Sequence, residues 1–109
     1  MSGVVPEGAD KSECVAVFAE NLRHALSALE QHEQEHIARD ECVCNMTFVI
    51  EPINTIDLPS YCCDLDTAMS LIELLDTPKL RLLFDVYHVQ KQLVRWQAQS
   101  SERRLKGGR

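Results

Sequence analysis

Apolar residues return at helical spacing near the start of the chain. Val15, Phe18, Leu22, Ala25 and Leu29 fall on one face of a 3.6-residue period, which predicts an amphipathic helix over residues 11 to about 31. Asp10 stands where an N-cap is needed, and Glu13 occupies the position of the reciprocal capping acid. The next ten residues, HEQEHIARDE (His32–Glu41), are polar and highly charged. They read either as a frayed extension of that helix or as a solvent loop. Two apolar runs of another kind follow, MTFVIEPIN (Met46–Asn54) and LRLLFDVYH (Leu80–His88). Each ends abruptly in a carboxylate, Glu51 in the first and Asp85 in the second. Strands that are hydrophobic on both faces belong in a parallel sheet covered by helices. We therefore expect strands at Met46–Ile50 and Leu80–Phe84, with Pro52 unable to continue a central ladder. Between them Ala68, Leu71, Ile72 and Leu75 form the stripe of a second helix, capped by Asp64 or Asp66 and ended by Thr77-Pro78. Asn54 to Tyr61 is a loop after a strand, the kind that carries binding residues. Gln92–Gln99 fits a weak helix, and Ser100–Arg109 is expected to be disordered.

The predicted order, helix–strand–helix–strand–weak helix, is that of an α/β protein. Glu51 and Asp85 lie 34 positions apart (85 − 51), close to the ~30 residues of one strand–helix–strand unit. Adjacent parallel strands would present both carboxylates side by side at their C-terminal ends, where open α/β sheets and barrels place their chemistry. Two strands alone expose an edge each, and both faces of the pair need cover. The pattern reads as the middle of something larger.

At 109 residues the chain is one domain at most. No apolar run approaches the ~18 residues of a membrane helix, and the first ten residues lack the basic start and apolar stretch of a signal peptide. A soluble, cytoplasmic protein is expected, with no membrane partner. The net charge of −6 hides an asymmetry: residues 1–90 carry 5 basic and 16 acidic side chains (−11), and residues 91–109 carry 6 basic and 1 acidic (+5). A basic tail can bind nucleic acid. This one holds a single aromatic, Trp96, and no nucleic-acid fold precedes it, so a nucleic-acid partner is not expected. The five cysteines, Cys14, Cys42, Cys44, Cys62 and Cys63, read as free thiols. The alternative, a zinc site from Cys42, Cys44 and a later cysteine, matches no usual knuckle spacing. His32-Glu33-Gln34-Glu35-His36 spells the H-E-x-x-H zinc motif, yet its all-round polarity and missing third ligand argue for chance.

The phrases VVPEGADK, ENLRHAL, IEPINT, the Pro59-Ser60-Tyr61 loop and LRLLFDVYHVQ, in that order, resemble the hydroxypyruvate isomerase family. Its members are xylose-isomerase-like TIM barrels of about 250 residues. The resemblance covers residues 2–90 and implies a partial (β/α)8 barrel of about two strand–helix units, with residues 91–109 a divergent basic tail. It also implies a truncated form with little activity alone, since the family's second catalytic glutamate and remaining metal ligands sit on later strands. The implied reaction converts hydroxypyruvate to tartronate semialdehyde by proton transfer through an enediol. The resemblance makes Glu51 a metal ligand and acid/base, Asp85 a metal ligand, and His88 a substrate contact. The implied cofactor is a divalent metal, Mg or Mn. The implied partners are a small hydroxy-keto acid substrate and a second chain, either in a homo-oligomer or as a full-length paralogue. The other class of function is a non-catalytic short product that associates with a larger protein through its exposed strand edges. From the residues alone, Glu51 and Asp85 read equally well as strand-end charges that cap helices or pair with Arg81.

Overall fold

The structure is a computed structural model and describes residues 2–41 and 45–107. It contains α1 (Lys11–Ala38), β1 (Phe48–Ile50), α2 (Leu65–Leu75), β2 (Leu80–Leu82) and α3 (Val86–Lys106). β1 and β2 pair in parallel, Phe48 with Leu80, Val49 with Arg81 and Ile50 with Leu82. α2 is the crossover between them. This is the strand–helix–strand unit expected from the sequence, with each strand trimmed to three residues. The ladder begins where Phe48 N–H donates to the Lys79 carbonyl (2.8 Å) and ends where Leu83 N–H donates to the Ile50 carbonyl (2.9 Å). Glu51 and Pro52 follow at once, and proline has no N–H to extend the pairing.

Alternation along the strands sorts their side chains onto two faces. Ile50 and Leu80 are buried and Leu82 packs against them, joined by Ala19 of α1 and by Ala68 and Leu71 of α2. Val15, Phe18, Leu22 and Leu26 complete the α1 side of this core, and Ile72 and Leu75 the α2 side. The apolar stripes read from the sequence are therefore the packed faces. Val49, Arg81 and Leu83 point the other way and are exposed. That second face of the sheet has no helix layer over it. In a closed barrel it would face the interior.

The caps explain where the helices start. Asp10 accepts from Ser12 N–H and opens α1, and Asp64 rather than Asp66 opens α2 by accepting from Thr67 N–H. Asp76 ends α2 in the left-handed region (φ 42°), one residue before Thr77-Pro78. The chain before α1 is tied to the loop after β1. Val5 N–H donates to the Ser60 carbonyl (2.7 Å), and Cys62 N–H donates to the Gly3 carbonyl (3.0 Å).

Of the two readings of His32–Glu41, the helical one holds as far as Ala38. Glu33 reaches Lys79 at the start of β2 (2.8 Å), and His36 pairs with Glu41. These contacts pin a segment with little apolar surface to bury. Lys79 also draws the Glu33 carboxyl below the usual range. Glu33 of the motif is thus engaged in an ion pair and His36 in a contact with the Glu41 carboxylate, and His32 and His36 stack edge to face with ring centroids 4.2 Å apart. Cys42 and Cys44 lie outside the described residues.

One expectation is corrected. Ser100 to Lys106 are not disordered but continue α3, which also takes in the helix expected at Gln92–Gln99. Asp85 caps the start of this helix, and Arg103, Arg104 and Lys106 place positive charge in its last turn, where the helix dipole favours it. From Gln97 onward every described residue is exposed, so propensity and charge hold this end without packing. The projecting helix gives a radius of gyration of 18.0 Å, against about 13 Å for a compact chain of this size. No helix among the described residues is long and apolar enough to cross a membrane.

Cys14, Cys62 and Cys63 are free thiols. Cys63 is buried in the core, and burial pushes its thiol up to about 12, with the neighbouring Asp64 carboxylate adding to the effect. Since the thiolate is the reactive form, Cys63 should stay unalkylated at pH ~8 in the folded chain while half-buried Cys14 reacts. Peptide mass mapping after iodoacetamide checks this. Labelling of Cys63 as fast as Cys14 would mean the core is open.

Candidate active site

Three sequence elements converge at the C-terminal end of the strand pair. Glu51 is the first residue past β1. Asp85 lies three residues past β2 and is the N-cap of α3, its carboxylate accepting from Tyr87 N–H at 3.0 Å. His88 sits in the first turn of α3. One donor atom from each of Glu51, Asp85 and His88 falls within 4.8 Å of the other two. Among the described residues this is the one group of three or more such side chains that close together. All three are partly buried. The parallel register produces the first two neighbours, since Ile50 and Leu82 are paired and each carboxylate follows shortly after. Of the readings of Asp85 left open by the sequence, the helix cap is the one the contacts show. One oxygen caps a helix, and the other faces His88 Nε2 at 3.9 Å.

A second ring of polar groups holds His88 in place. Asn54, 1% exposed, uses its side chain in an Asx turn: its Oδ1 accepts from the N–H groups of Ile56 (3.1 Å) and Asp57 (2.8 Å). Its Nδ2 contacts the Asp57 carboxylate (3.1 Å) and His88 Nδ1 (2.9 Å). Asp57 is clamped from α3 by Lys91 and by the Tyr87 hydroxyl (2.7 Å). The Lys91 ammonium, then Tyr87 and Asn54, hold the Asp57 carboxyl well below the usual carboxylate range. The same contacts raise Lys91. Gln92, 3% exposed, accepts from both the N–H (2.9 Å) and the hydroxyl (3.1 Å) of Thr55. The loop after β1 is thus fastened to the first two turns of α3 by two buried polar side chains, Asn54 and Gln92, and by the more exposed contacts of Asp57.

Sequence reading found Glu51, Asp85 and His88 and placed a binding loop at Asn54–Tyr61. It missed Asn54 itself, Asp57, Tyr87, Lys91 and Gln92. A signal was available: His88, Lys91 and Gln92 recur at helical spacing, as Tyr87 and Lys91 do, so α3 has one polar face over its first turns.

Comparison with known proteins places this arrangement. The model of the xylose isomerase-like TIM barrel matches residues 1–107. The chain belongs to the xylose isomerase-like TIM barrel family. Its two parallel strands and their helices are part of such a barrel, and the match takes in α3, beyond the limit at Gln90 suggested by the sequence phrases. A Homo sapiens protein named "Putative hydroxypyruvate isomerase" is 38% identical over 96 residues. The 2-oxo-tetronate isomerase of Cupriavidus necator is 32% identical over 91 residues, and the hydroxypyruvate isomerase of Escherichia coli is 28% identical over 90. The alignments cover 82–83% of this chain and 30% of each relative. The chain therefore spans about a third of the length of the curated relatives it matches. No solved structure matches it significantly.

The donor set fits a hard divalent cation. The two carboxylates at this spacing are compatible with the bonds of such ions, roughly 2.0–2.6 Å for Mg2+ and Ca2+, and oxygen donors suit Mg2+ or Mn2+.

Proposed function

We propose that this segment supplies one half of an aldose–ketose isomerase site acting on a small hydroxy-keto acid, hydroxypyruvate being the best candidate. The observation that supports it most is the meeting of Glu51, Asp85 and His88 at the C-terminal end of a barrel-type strand pair. The relatives named as isomerases support an isomerisation. In this reading Glu51 and Asp85 would hold a Mg2+ or Mn2+ ion, whose positive charge would make the C–H next to the substrate carbonyl more acidic. Glu51 takes the proton from the hydroxymethyl carbon of hydroxypyruvate. His88 hydrogen-bonds the oxygen on which charge develops. Return of a proton to the neighbouring carbon, with the hydroxyl proton passing from the outer oxygen to the inner one, gives tartronate semialdehyde.

One acid/base can take a proton and return it to the same carbon. Delivery to the neighbouring carbon, with relocation of the hydroxyl proton, needs a second group on the other side. The chain alone should therefore exchange substrate hydrogen with solvent without much net isomerisation. Incubation with Mg2+ and hydroxypyruvate in D2O, followed by NMR, tests this. Deuterium should enter the hydroxymethyl group faster than in protein-free buffer, and Glu51→Gln should abolish the excess. Excess exchange that survives Glu51→Gln would defeat the assignment of Glu51 as base.

A second reading is favoured by the open side of the sheet. Val49 (55% exposed), Leu83 (44%) and Phe84 (63%) lie bare on or beside it. The edge of β1 borders a groove of about 340 Å3 lined by Phe18, Leu22, Phe48, Ile50 and Tyr61. In this reading the chain is inert by itself and associates through these strand edges with a second copy or a longer relative. An inert chain in the exchange assay would favour it.

A further inference from the structure

We propose that Asn54 is a positioning residue that locks His88 in its Nε2–H tautomer, so that His88 faces the two carboxylates as a hydrogen-bond donor and not as a metal ligand. The inference concerns the same site as the proposed isomerase function and deepens that reading, but it stands on hydrogen bonding alone. His88 Nδ1 meets two groups of Asn54, the side-chain Nδ2 at 2.9 Å and the backbone N–H at 3.5 Å. The backbone group can only donate.

The side-chain amide has one workable orientation. Its Oδ1 already accepts from two backbone N–H groups, those of Ile56 and Asp57. Its Nδ2 donates to the Asp57 carboxylate. Turning the amide over would set NH2 against two N–H donors and a carbonyl oxygen against a carboxylate. In a side chain buried to 1% exposure, that leaves at least three polar groups mismatched. Lys91 and Tyr87 hold the Asp57 carboxylate beside this amide from α3. Nδ1 is therefore an acceptor, and a neutral imidazole that accepts at Nδ1 carries its proton at Nε2.

Nε2 lies 3.9 Å from Asp85 Oδ2, too far for a hydrogen bond and close enough for both to share a third oxygen. A histidine that binds metal through Nε2 needs a bare lone pair there, and directs its other N–H at an acceptor. Asn54 offers Nδ1 no acceptor. The metal ligands from this segment are then Glu51 and Asp85 only, and His88 presents an N–H to a ligand oxygen between itself and Asp85.

The test is a long-range 1H–15N correlation spectrum of the 109-residue chain labelled with 15N-histidine, at a pH of about 8 where an unperturbed imidazole is neutral. His88→Gln identifies the His88 signals among the four histidines. The wild-type ring should show the Nε2–H pattern. In Asn54→Asp, a carboxylate oxygen faces Nδ1, and the population should shift to Nδ1–H. An Nδ1–H ring in the wild-type chain, or an Asn54→Asp spectrum with the tautomer unchanged, would overturn the proposal. If Asn54→Asp does not fold, the wild-type spectrum alone decides. Neither spectrum needs substrate or metal, so failure in the deuterium-exchange assay and failure here are separable.

Discussion

Leu71→Ala is expected to lower the stability of the chain by about 2–5 kcal/mol, the usual range for emptying a fully buried leucine site. Leu71 is 2% exposed on the face of α2 that packs against β2, in a core of seven buried residues. A cavity there cannot close easily, because α2 is held at one end by the Asp64 cap and at the other by the turn at Asp76. Small domains bury a lesser share of their surface and have little stability in reserve. With one sheet face uncovered as well, much of the population should unfold. Met69 sits two residues away on the same helix and is 53% exposed. Met69→Ala should change stability by no more than about 0.5 kcal/mol. Urea unfolding followed by circular dichroism measures both. Equal shifts in the two variants would mean that the packing described for α2 does not form in solution.

The core was legible in the sequence for the same reason that this contrast is sharp. Val15, Phe18 and Leu22 in α1, and Ala68, Leu71, Ile72 and Leu75 in α2, recur at a period that only a helix turns into one face. The two strands were legible as consecutive apolar residues ending in a charge. What periodicity could not show was anything held by polar contacts between distant segments. The last turns of α1 persist because Glu33 finds Lys79, 46 residues away, and no local pattern announces that pair. The disordered tail expected at Ser100 rested on its place at the end of the chain, yet α3 runs on to Lys106 with basic residues in its last turn, where the helix dipole favours them.

The site divides along the same line. Glu51 and Asp85 were readable because a parallel sheet brings the C-terminal ends of its strands together, a consequence of topology. The family phrases pointed to His88 as well. Asn54, Asp57, Lys91 and Gln92 are ordinary polar residues in sequence. They acquire meaning only when α3 leaves Asp85 at an angle that lays His88 and Gln92 over the loop after β1. The structure supplies that angle.

Asp85 carries the second large expected effect, because its carboxylate has two tasks that substitution can separate. One oxygen caps α3 at the Tyr87 N–H, and the other faces His88 in the candidate metal site. Asparagine caps a helix about as well as aspartate, whereas alanine forfeits about 1 kcal/mol. Asp85→Asn should therefore leave α3 and the overall stability nearly unchanged. Asp85→Ala should lower stability by about that amount. Both remove a carboxylate of the proposed site, so both should weaken Mn2+ binding by about 10-fold or more, the lower end of the loss that follows even when an outer partner of a ligand is removed. Water-proton relaxation reads the Mn2+ affinity, and thermal unfolding reads the cap. If Asp85→Asn binds Mn2+ like the wild-type chain, Asp85 is a cap alone and the proposed metal site fails. If Asp85→Asn is as unstable as Asp85→Ala, its charge rather than its hydrogen bond supports α3, and the basic last turn of that helix would then matter less than the acidic start. The same carboxylate follows a strand, opens a helix and faces Glu51 and His88, so a short segment of barrel can set the candidate site and the helix beside it with one residue.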